Sequence, residues 1–218
     1  KIELEGCDIA LLSVSASVQL RAPGLDAIRL STGRLRSGLF LAPGLNVQGS
    51  LRFTGAEIGG NVALAETTWS HPSKHGSVTG QGSLVRGEVS LQGMVTHGGA
   101  VNLRGSVLRG TVNFAGAVLD NPTWLTVDLH QADVVGSVIL DDVTSTGCVL
   151  LSRARIAGEL SLDGAGLTCS LSSFLNPAKQ ALNAAFGTDH ANRFFLFHRD
   201  RQWNLREQAW IGWERKRG

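Results

Sequence analysis

The sequence predicts an all-β solenoid, and three observations support this fold class. A motif of the form Gly-x-apolar-x-apolar recurs, most often eleven residues apart, and a fixed period is typical of repeat proteins. The apolar residues of each unit alternate as they do in a β-strand. Glycine accounts for 27 of the 218 residues and falls mid-pattern, where each glycine would cost a helix about 1 kcal/mol. The units start at Gly49, Gly60, Gly87, Gly99, Gly110, Gly136, Gly147 and Gly158, and more weakly at Gly76.

Each unit contains a two-sided strand, a glycine corner and a second short inward pair. In the unit that starts at Gly110, Val112 and Phe114 face inward, Gly116 forms the corner, and Leu119 ends the second pair. Glycine suits the corner because it adopts positive φ without a Cβ clash. With slips of one residue, the same frame accepts earlier starts at Glu5, Ala16, Asp26 and Ser37. Further inward positions are predicted at Val138, Leu140, Leu160 and Leu162.

The units resemble pentapeptide repeats stretched to five plus six residues. Large inward residues lie five apart, as in Leu103 and Leu108. Residues 49–58 and 158–167 are similar to the hGxLxLxGAxh repeat of actinobacterial proteins often labelled oxidoreductase or membrane-associated oxidoreductase. The resemblance implies a right-handed β-helix, and the count of eleven-residue units predicts about seven coils, each made of two half-coils, over residues 1–169. The sequence contains no dinucleotide, flavin or haem motif to support the redox label, so we expect neither a cofactor nor enzymatic activity.

Composition limits the partners and the location of the protein. The net charge of +2 argues against nucleic-acid binding. Cys7, Cys148 and Cys169 form neither a CxxC metal motif nor an even disulfide set, which favours a reducing, cytoplasmic compartment. The chain starts at Lys1 without a methionine and ends on a basic segment. We therefore expect a piece of a longer protein. The resemblance to membrane-associated proteins implies a location at the inner face of a membrane, with a membrane segment beyond Gly218.

Residues 170–218 are predicted to form an α-helical C-terminal segment. Glycine becomes rare after Leu167, aromatic residues concentrate, and Asn204 with Glu207 has the form of a capping box. Two roles are open for these helices. They would cap the last coil, whose strand edges need cover, or they would dock on a membrane or partner through Trp203, Trp210 and Trp213.

Breaks in the repeat indicate a candidate interaction edge. The units that start at Gly60, Gly87 and Gly110 exceed eleven residues, and they are alternate units. If two units complete one coil, the three insertions stack on one edge, and insertions in solenoids often form the binding face. Metal binding or general-base chemistry by the histidines is the alternative role. The residues predicted for this edge are Trp69, His71, His75, His97, Asp120 and Trp124.

These features predict a non-enzymatic interaction scaffold that binds a protein partner and associates with a membrane. One alternative is a self-assembling filament, like bactofilin, that stacks through its solenoid ends. A second alternative is a carbohydrate-active β-helix enzyme, because Asp141 and Asp163 occupy the same outward position two units apart. Paired carboxylates of this kind serve as acid and nucleophile in glycosidases.

Overall fold

The computed structural model describes residues 1–122 and 125–168, and all elements in these two ranges are β-strands. The strands form two twelve-stranded sheets that make up a right-handed-type solenoid of about seven turns. The predicted all-β solenoid is therefore confirmed. The predicted C-terminal helices, with Trp203, Trp210 and Trp213, lie outside the described residues.

The first sheet forms one side of the solenoid and contains half of the strands. Its members are β1 (Ile2–Glu5), β3 (Leu20–Ser31), β5 (Asn46–Arg52), β8 (Thr68–Ser70), β9 (Val78–Thr79), β12 (Val95–His97), β13 (Val101–Asn102), β16 (Val118–Asp120), β17 (Leu125–Asp128), β20 (Thr144–Ser145), β21 (Cys148–Leu150) and β24 (Gly166–Leu167).

The second sheet forms the other side and contains the remaining strands. Its members are β2 (Asp8–Val14), β4 (Arg34–Leu41), β6 (Glu57–Ile58), β7 (Asn61–Ala63), β10 (Leu84–Val85), β11 (Val89–Ser90), β14 (Val107–Leu108), β15 (Val112–Asn113), β18 (Asp133–Val134), β19 (Val138–Ile139), β22 (Arg155–Ile156) and β23 (Leu160–Ser161).

A regular coil contains four short strands, two from each sheet. The chain passes through β8 and β9 in the first sheet, then β10 and β11 in the second, and returns to the first sheet as β12. β12 pairs in parallel with β8, one coil earlier. In the last coil Thr144 pairs with Gly166. The separation of this pair equals two eleven-residue units, so two units complete one coil.

The first coils differ from the predicted frame because their strands are long. β3 has 12 residues and β4 has 8, and the register between β3 and β5 shifts on both sides of Asp26. Gly49 lies at this irregularity with φ 123°, and a Cβ there would lie 2.6 Å from the Ala22 carbonyl oxygen. β5 then pairs with β8 and β9 on its other side. The slips in the early repeat therefore reflect bulges in long strands rather than short units.

The inward positions pack into continuous columns between the two sheets. The inward residues predicted from the repeat are buried, which confirms the phase of the repeat, and each coil thereby covers the apolar face of its neighbours. Burial of this apolar surface is the main source of stability for such a stack. Val112, Phe114, Leu119, Val138 and Leu140 are fully buried, Leu160 is 7% exposed, and Leu162 is partly buried against the core.

A candidate binding ridge and groove

Three loops of different length lie side by side at one edge of the solenoid. Each loop joins the two first-sheet strands of its coil, namely β8 to β9, β12 to β13, and β16 to β17. β12 pairs with both β8 and β16, and β13 pairs with both β9 and β17. The loops therefore stack at the strand spacing of about 4.8 Å. We call their described residues, 71–77, 98–100 and 121–122, the ridge.

The strand register shows where the extra residues of the long units go. Thr68 pairs with Val95, Val95 with Val118, and Val118 with Thr144, each pair one coil apart. The regular coil between Thr144 and Gly166 is the reference. Compared with this reference, the three coils are longer by five, one and four positions in that order. All three insertions leave the solenoid at the ridge, as the alternation of long units predicts.

Polar contacts hold the longest loop of the ridge on the preceding coils. Ser73 Oγ donates a hydrogen bond to Asp26 Oδ1 at 3.1 Å, and the Ser73 N–H donates to Ser50 Oγ at 2.7 Å. The Asp26 carboxylate also pairs with the Arg52 guanidinium at 3.6 Å, and both side chains are largely buried. Because Asp26 lies on β3 and Ser50 on β5, the loop is tied at its middle to two strands.

The three predicted histidines lie on or next to the ridge. His71 and His97 are exposed, whereas His75 is partly buried. His71 has φ 50°, and its carbonyl oxygen accepts the Gly24 N–H at 2.8 Å. Burial, and then the positive charge of Arg52, lower the pKa of His75. The ridge and the adjoining end of β12 thus carry two exposed imidazoles and one that favours its neutral form. The described residues contain no group of three His, Cys, Asp or Glu arranged to hold a metal ion.

Trp69 is not part of an exposed contact surface, and the sequence prediction for this residue was wrong. Its side chain is fully buried, since the alternation along β8 points it into the core. Its Nε1–H donates to Thr67 Oγ1 at 2.8 Å, and Thr67 Oγ1 donates to the Leu64 carbonyl oxygen at 2.6 Å. Trp124, the other aromatic residue predicted for this edge, lies outside the described residues.

Asp120 connects three successive coils at the end of β16. Its carbonyl oxygen accepts the Gly98 N–H at 2.7 Å, and its carboxylate accepts the Thr146 hydroxyl at 2.7 Å. Thr146 Oγ1 also accepts the Asn121 N–H at 3.0 Å. Asp120 therefore has a structural role in fixing the stack of loops.

A polar groove of about 530 Å³ lies between the ridge and the outer surface of the first sheet. Its floor is a row of three side chains, because Asn102 pairs in register with Thr79 on one side and with Asp128 on the other. Gln81 extends the floor, and loop residues complete the lining, including Lys74, His75, Gly98, Gly99 and Asn121. The groove is therefore built from hydrogen-bonding groups on three coils.

Asp128 is a buried carboxyl group in the floor of this groove. It is 5% exposed, and burial raises its pKa, an effect opposed by the His130 N–H that donates to Oδ1 at 2.9 Å and by the charge of Arg104. Its Oδ2 has no hydrogen-bond donor among the described residues. Beside it, Asn102 Oδ1 accepts the Arg104 N–H at 3.1 Å, and Asn102 Nδ2 has no acceptor in the same ranges. One acceptor and one donor therefore face the groove.

Sequence reasoning missed the floor of the groove. Thr79, Asn102 and Asp128 are outward residues of different types, so they give no periodic signal. Their alignment follows only when the extra residue of the β12–β13 loop and the four extra residues of the β16–β17 loop are subtracted from the spacing. Once the ridge is assigned, the row consists of the last residue of each strand that follows a ridge loop, β9, β13 and β17.

The carboxylate stack considered for an enzyme has a structural explanation. Asp141 accepts hydrogen bonds from the Ser161 hydroxyl and from the Asp163 N–H, the latter at 3.0 Å. The Asp142 N–H in turn donates to the Asp163 carbonyl oxygen at 2.8 Å. These bonds join two coils at a corner, so Asp141 serves the stack.

The cysteines differ from the sequence expectation. Cys148 is disulfide-bonded, whereas Cys7 is a free thiol that is partly buried against the core. The remaining cysteine of the sequence, Cys169, lies outside the described residues. Because disulfides persist in oxidising environments, the cysteines no longer support the expected reducing compartment.

Comparison with known proteins shows one short similarity and no family. No family model matches the chain, and no solved structure matches it. A segment of 38 residues is 53% identical to the cyclic beta-(1,2)-glucan synthase NdvB of Rhizobium meliloti (strain 1021), which is 17% of this chain and 1% of the synthase. A match of this length does not show a family. Within the described residues, no helix is long and apolar enough to cross a membrane.

Proposed function

We propose that the protein is a non-enzymatic binding scaffold whose partner or ligand binds along the ridge and its groove. The observation that supports this proposal is the stacking of three insertions on one edge of an otherwise regular solenoid. In repeat proteins, insertions on one face commonly form the binding surface, since the stacked core leaves little freedom elsewhere.

The structural role of Asp141 supports the scaffold over an enzyme. Asp141 is one of the two carboxylates considered for catalysis, and it accepts hydrogen bonds that hold neighbouring coils together. A glycosidase would need two carboxyl groups positioned on a substrate, and a carboxylate released from the stack for that purpose would leave its donors unpaired. We therefore retain the scaffold as the proposal and the carbohydrate-active enzyme as its rival.

We further propose a protein partner and a membrane-proximal location. This part rests on the sequence, through the resemblance to actinobacterial proteins labelled membrane-associated and through the tryptophans and basic residues of 170–218. Helices with Trp and Arg bind anionic membrane surfaces. Sedimentation with anionic vesicles, with and without residues 177–218, tests the membrane part independently of the ridge.

A photo-crosslinking experiment tests the ridge as the binding face. A photoreactive amino acid replaces either His97, next to the ridge, or Arg109, an exposed residue that follows β14 in the second sheet. In an extract of the source organism, we expect a discrete crosslinked species from position 97 that is absent from position 109. Identical products from both positions, or none from position 97, would reject a protein partner at the ridge. Crosslinks between copies of this chain would instead support the self-assembling alternative.

A further inference from the structure

We propose that the groove binds a neutral, unbranched oligosaccharide through Thr79, Asn102 and Asp128. This inference rests on the proposed binding function and adds the chemical class of the ligand. Its basis is the row of polar side chains that the register places on three consecutive coils.

The first argument is the repeat of the floor. Thr79, Asn102 and Asp128 occupy equivalent outward positions on β9, β13 and β17, so adjacent groups are separated by the strand spacing of about 4.8 Å. A ligand that contacts all three must itself present polar groups at a regular interval close to the length of one sugar ring. A linear glycan laid across the strands has this property.

The second argument is the chemistry of the groups. Asp128 Oδ2 and Asn102 Nδ2 have no partner among the described residues. Neither is among the fully buried unpaired atoms, so both remain reachable from the groove although Asp128 is 5% exposed. A ligand in the groove can therefore replace water as their hydrogen-bond partner. A sugar hydroxyl donates and accepts at the same time, and neighbouring hydroxyls can therefore satisfy the carboxylate oxygen and the amide together.

The third argument excludes two other classes of ligand. A peptide that binds by adding a strand needs unpaired backbone groups, but β13 pairs with β9 on one side and β17 on the other. A nucleic acid needs several cations along its phosphates. The described lining instead has one charged residue of each sign, Lys74 and Asp128, with His75, five amide or hydroxyl side chains, and small or apolar residues. The lining is close to neutral and matches an uncharged ligand.

The test measures binding of cellohexaose, laminarihexaose and maltohexaose to the full chain by isothermal titration calorimetry. Gln81→Trp places a bulky ring in the groove at an exposed turn position. Gln92→Trp is the matched control, since Gln92 is also exposed and also precedes a glycine of positive φ, with 62° at Gly93 and 64° at Gly82. Asn102→Asp keeps the acceptor for the Arg104 N–H and removes the amide donor.

We expect wild type and Gln92→Trp to bind at least one hexasaccharide with the same affinity. Gln81→Trp should weaken binding about tenfold or more, and Asn102→Asp about three- to tenfold, the worth of one hydrogen bond. Failure of all three oligosaccharides to bind wild type, or equal binding by Gln81→Trp, would overturn the ligand class. If Gln81→Trp nevertheless removes the crosslink from position 97, the proposed binding function stands and the ligand is of another class. If no hexasaccharide binds wild type and the photoreactive residue at position 97 gives no crosslink, both proposals fail.

Discussion

Phe53 and Gly80 occupy the same inward column in consecutive coils, and the ring of the first fills the space that a side chain on the second would need. A Cβ added to Gly80 would lie 2.2 Å from Phe53 Cε2 and 2.4 Å from Cζ. Phe53 is fully buried, and its N–H donates to the Thr79 carbonyl oxygen at 2.8 Å, which fixes the two coils against each other. The glycine is thus required by packing rather than by backbone conformation.

Gly80→Ala should therefore destabilise the protein by about 1 to 3 kcal/mol, the usual cost of overpacking a core. Chemical denaturation followed by circular dichroism measures the change. Gly166→Ala is the matched control, because among the described residues a Cβ there meets only the Val143 carbonyl oxygen at 3.9 Å, and it should stay close to wild type. Phe53→Leu should reduce the cost of Gly80→Ala in a double-mutant cycle. Additive effects of the two substitutions would show that the clash is not the cause.

The buried tryptophan makes a second prediction through two threonines that differ in their partners. Thr67 Oγ1 accepts the Trp69 indole N–H and donates to Leu64, whereas the buried Thr96 Oγ1 has no partner in the described part of the chain. Thr67→Val should cost about 1 to 3 kcal/mol because it leaves two buried groups unpaired. Thr96→Val removes an unpaired hydroxyl at constant volume and should be neutral or stabilising. Thermal melts of the two variants decide the matter, and equal losses would contradict the assignment.

The phase of the core and the position of the ridge could be predicted from the sequence because both follow from counting. Val112 and Phe114 are buried, and the insertions before Val78, Val101 and Leu125 share one edge. Corners with positive φ keep the count regular from β6 onward, so each extra residue must leave the coil at a loop. These corners are glycines in some units, such as Gly105 and Gly116, and Glu66, Gln131, Asp142 and Arg153 in others.

The burial of Trp69, the long first strands and the groove floor could not be predicted. They depend on contacts between residues far apart in the sequence or on polar partners that the repeat does not specify. Trp69 has the alternation of an inward residue, but its burial also requires the Thr67 hydroxyl that accepts its indole N–H. The long β3 and its register shift at Asp26 arise from pairing with β5, which local pattern does not encode. The groove floor at Asn102 is visible only when three coils are aligned.

Asp128 should make stability depend on pH. Burial raises the pKa of its carboxyl group above the ordinary value of 3.8. At pH values between the ordinary pKa and the raised pKa, the folded state therefore binds more protons than the unfolded state. Stability should therefore fall as pH rises through this window and stay lower at neutral pH. Asp128→Asn keeps an acceptor for the His130 N–H and has no charge to bury. We expect this variant to be more stable than wild type at pH 7 and to lack the fall.

Chemical denaturation of wild type and Asp128→Asn from pH 4 to pH 8 gives the difference in their free energies of unfolding at each pH. A carbon NMR titration of the Asp128 carboxyl group is the independent measurement. A wild-type profile that matches the variant throughout, or a carboxyl group that titrates at or below the ordinary value, would show that burial does not control this group.

The last prediction concerns the tail. The final strands β22, β23 and β24 pair with β18, β19 and β20, and these are their only partners among the described residues. Leu162 and Leu167 are only partly buried there. If residues 170–218 cap this end, deletion of 177–218 should expose strand edges and cause self-association that increases with concentration.

Light scattering coupled to size-exclusion chromatography at several concentrations detects this association, and the melting temperature should fall as well. Combined Trp203→Ala, Trp210→Ala and Trp213→Ala substitution separates the two roles of the tail. If the tryptophans pack on the last coil, the triple variant should reproduce part of the loss of stability. If they dock on a membrane, it should melt like wild type and lose binding to anionic vesicles. A truncated chain that stays monomeric with an unchanged melting temperature would reject the cap.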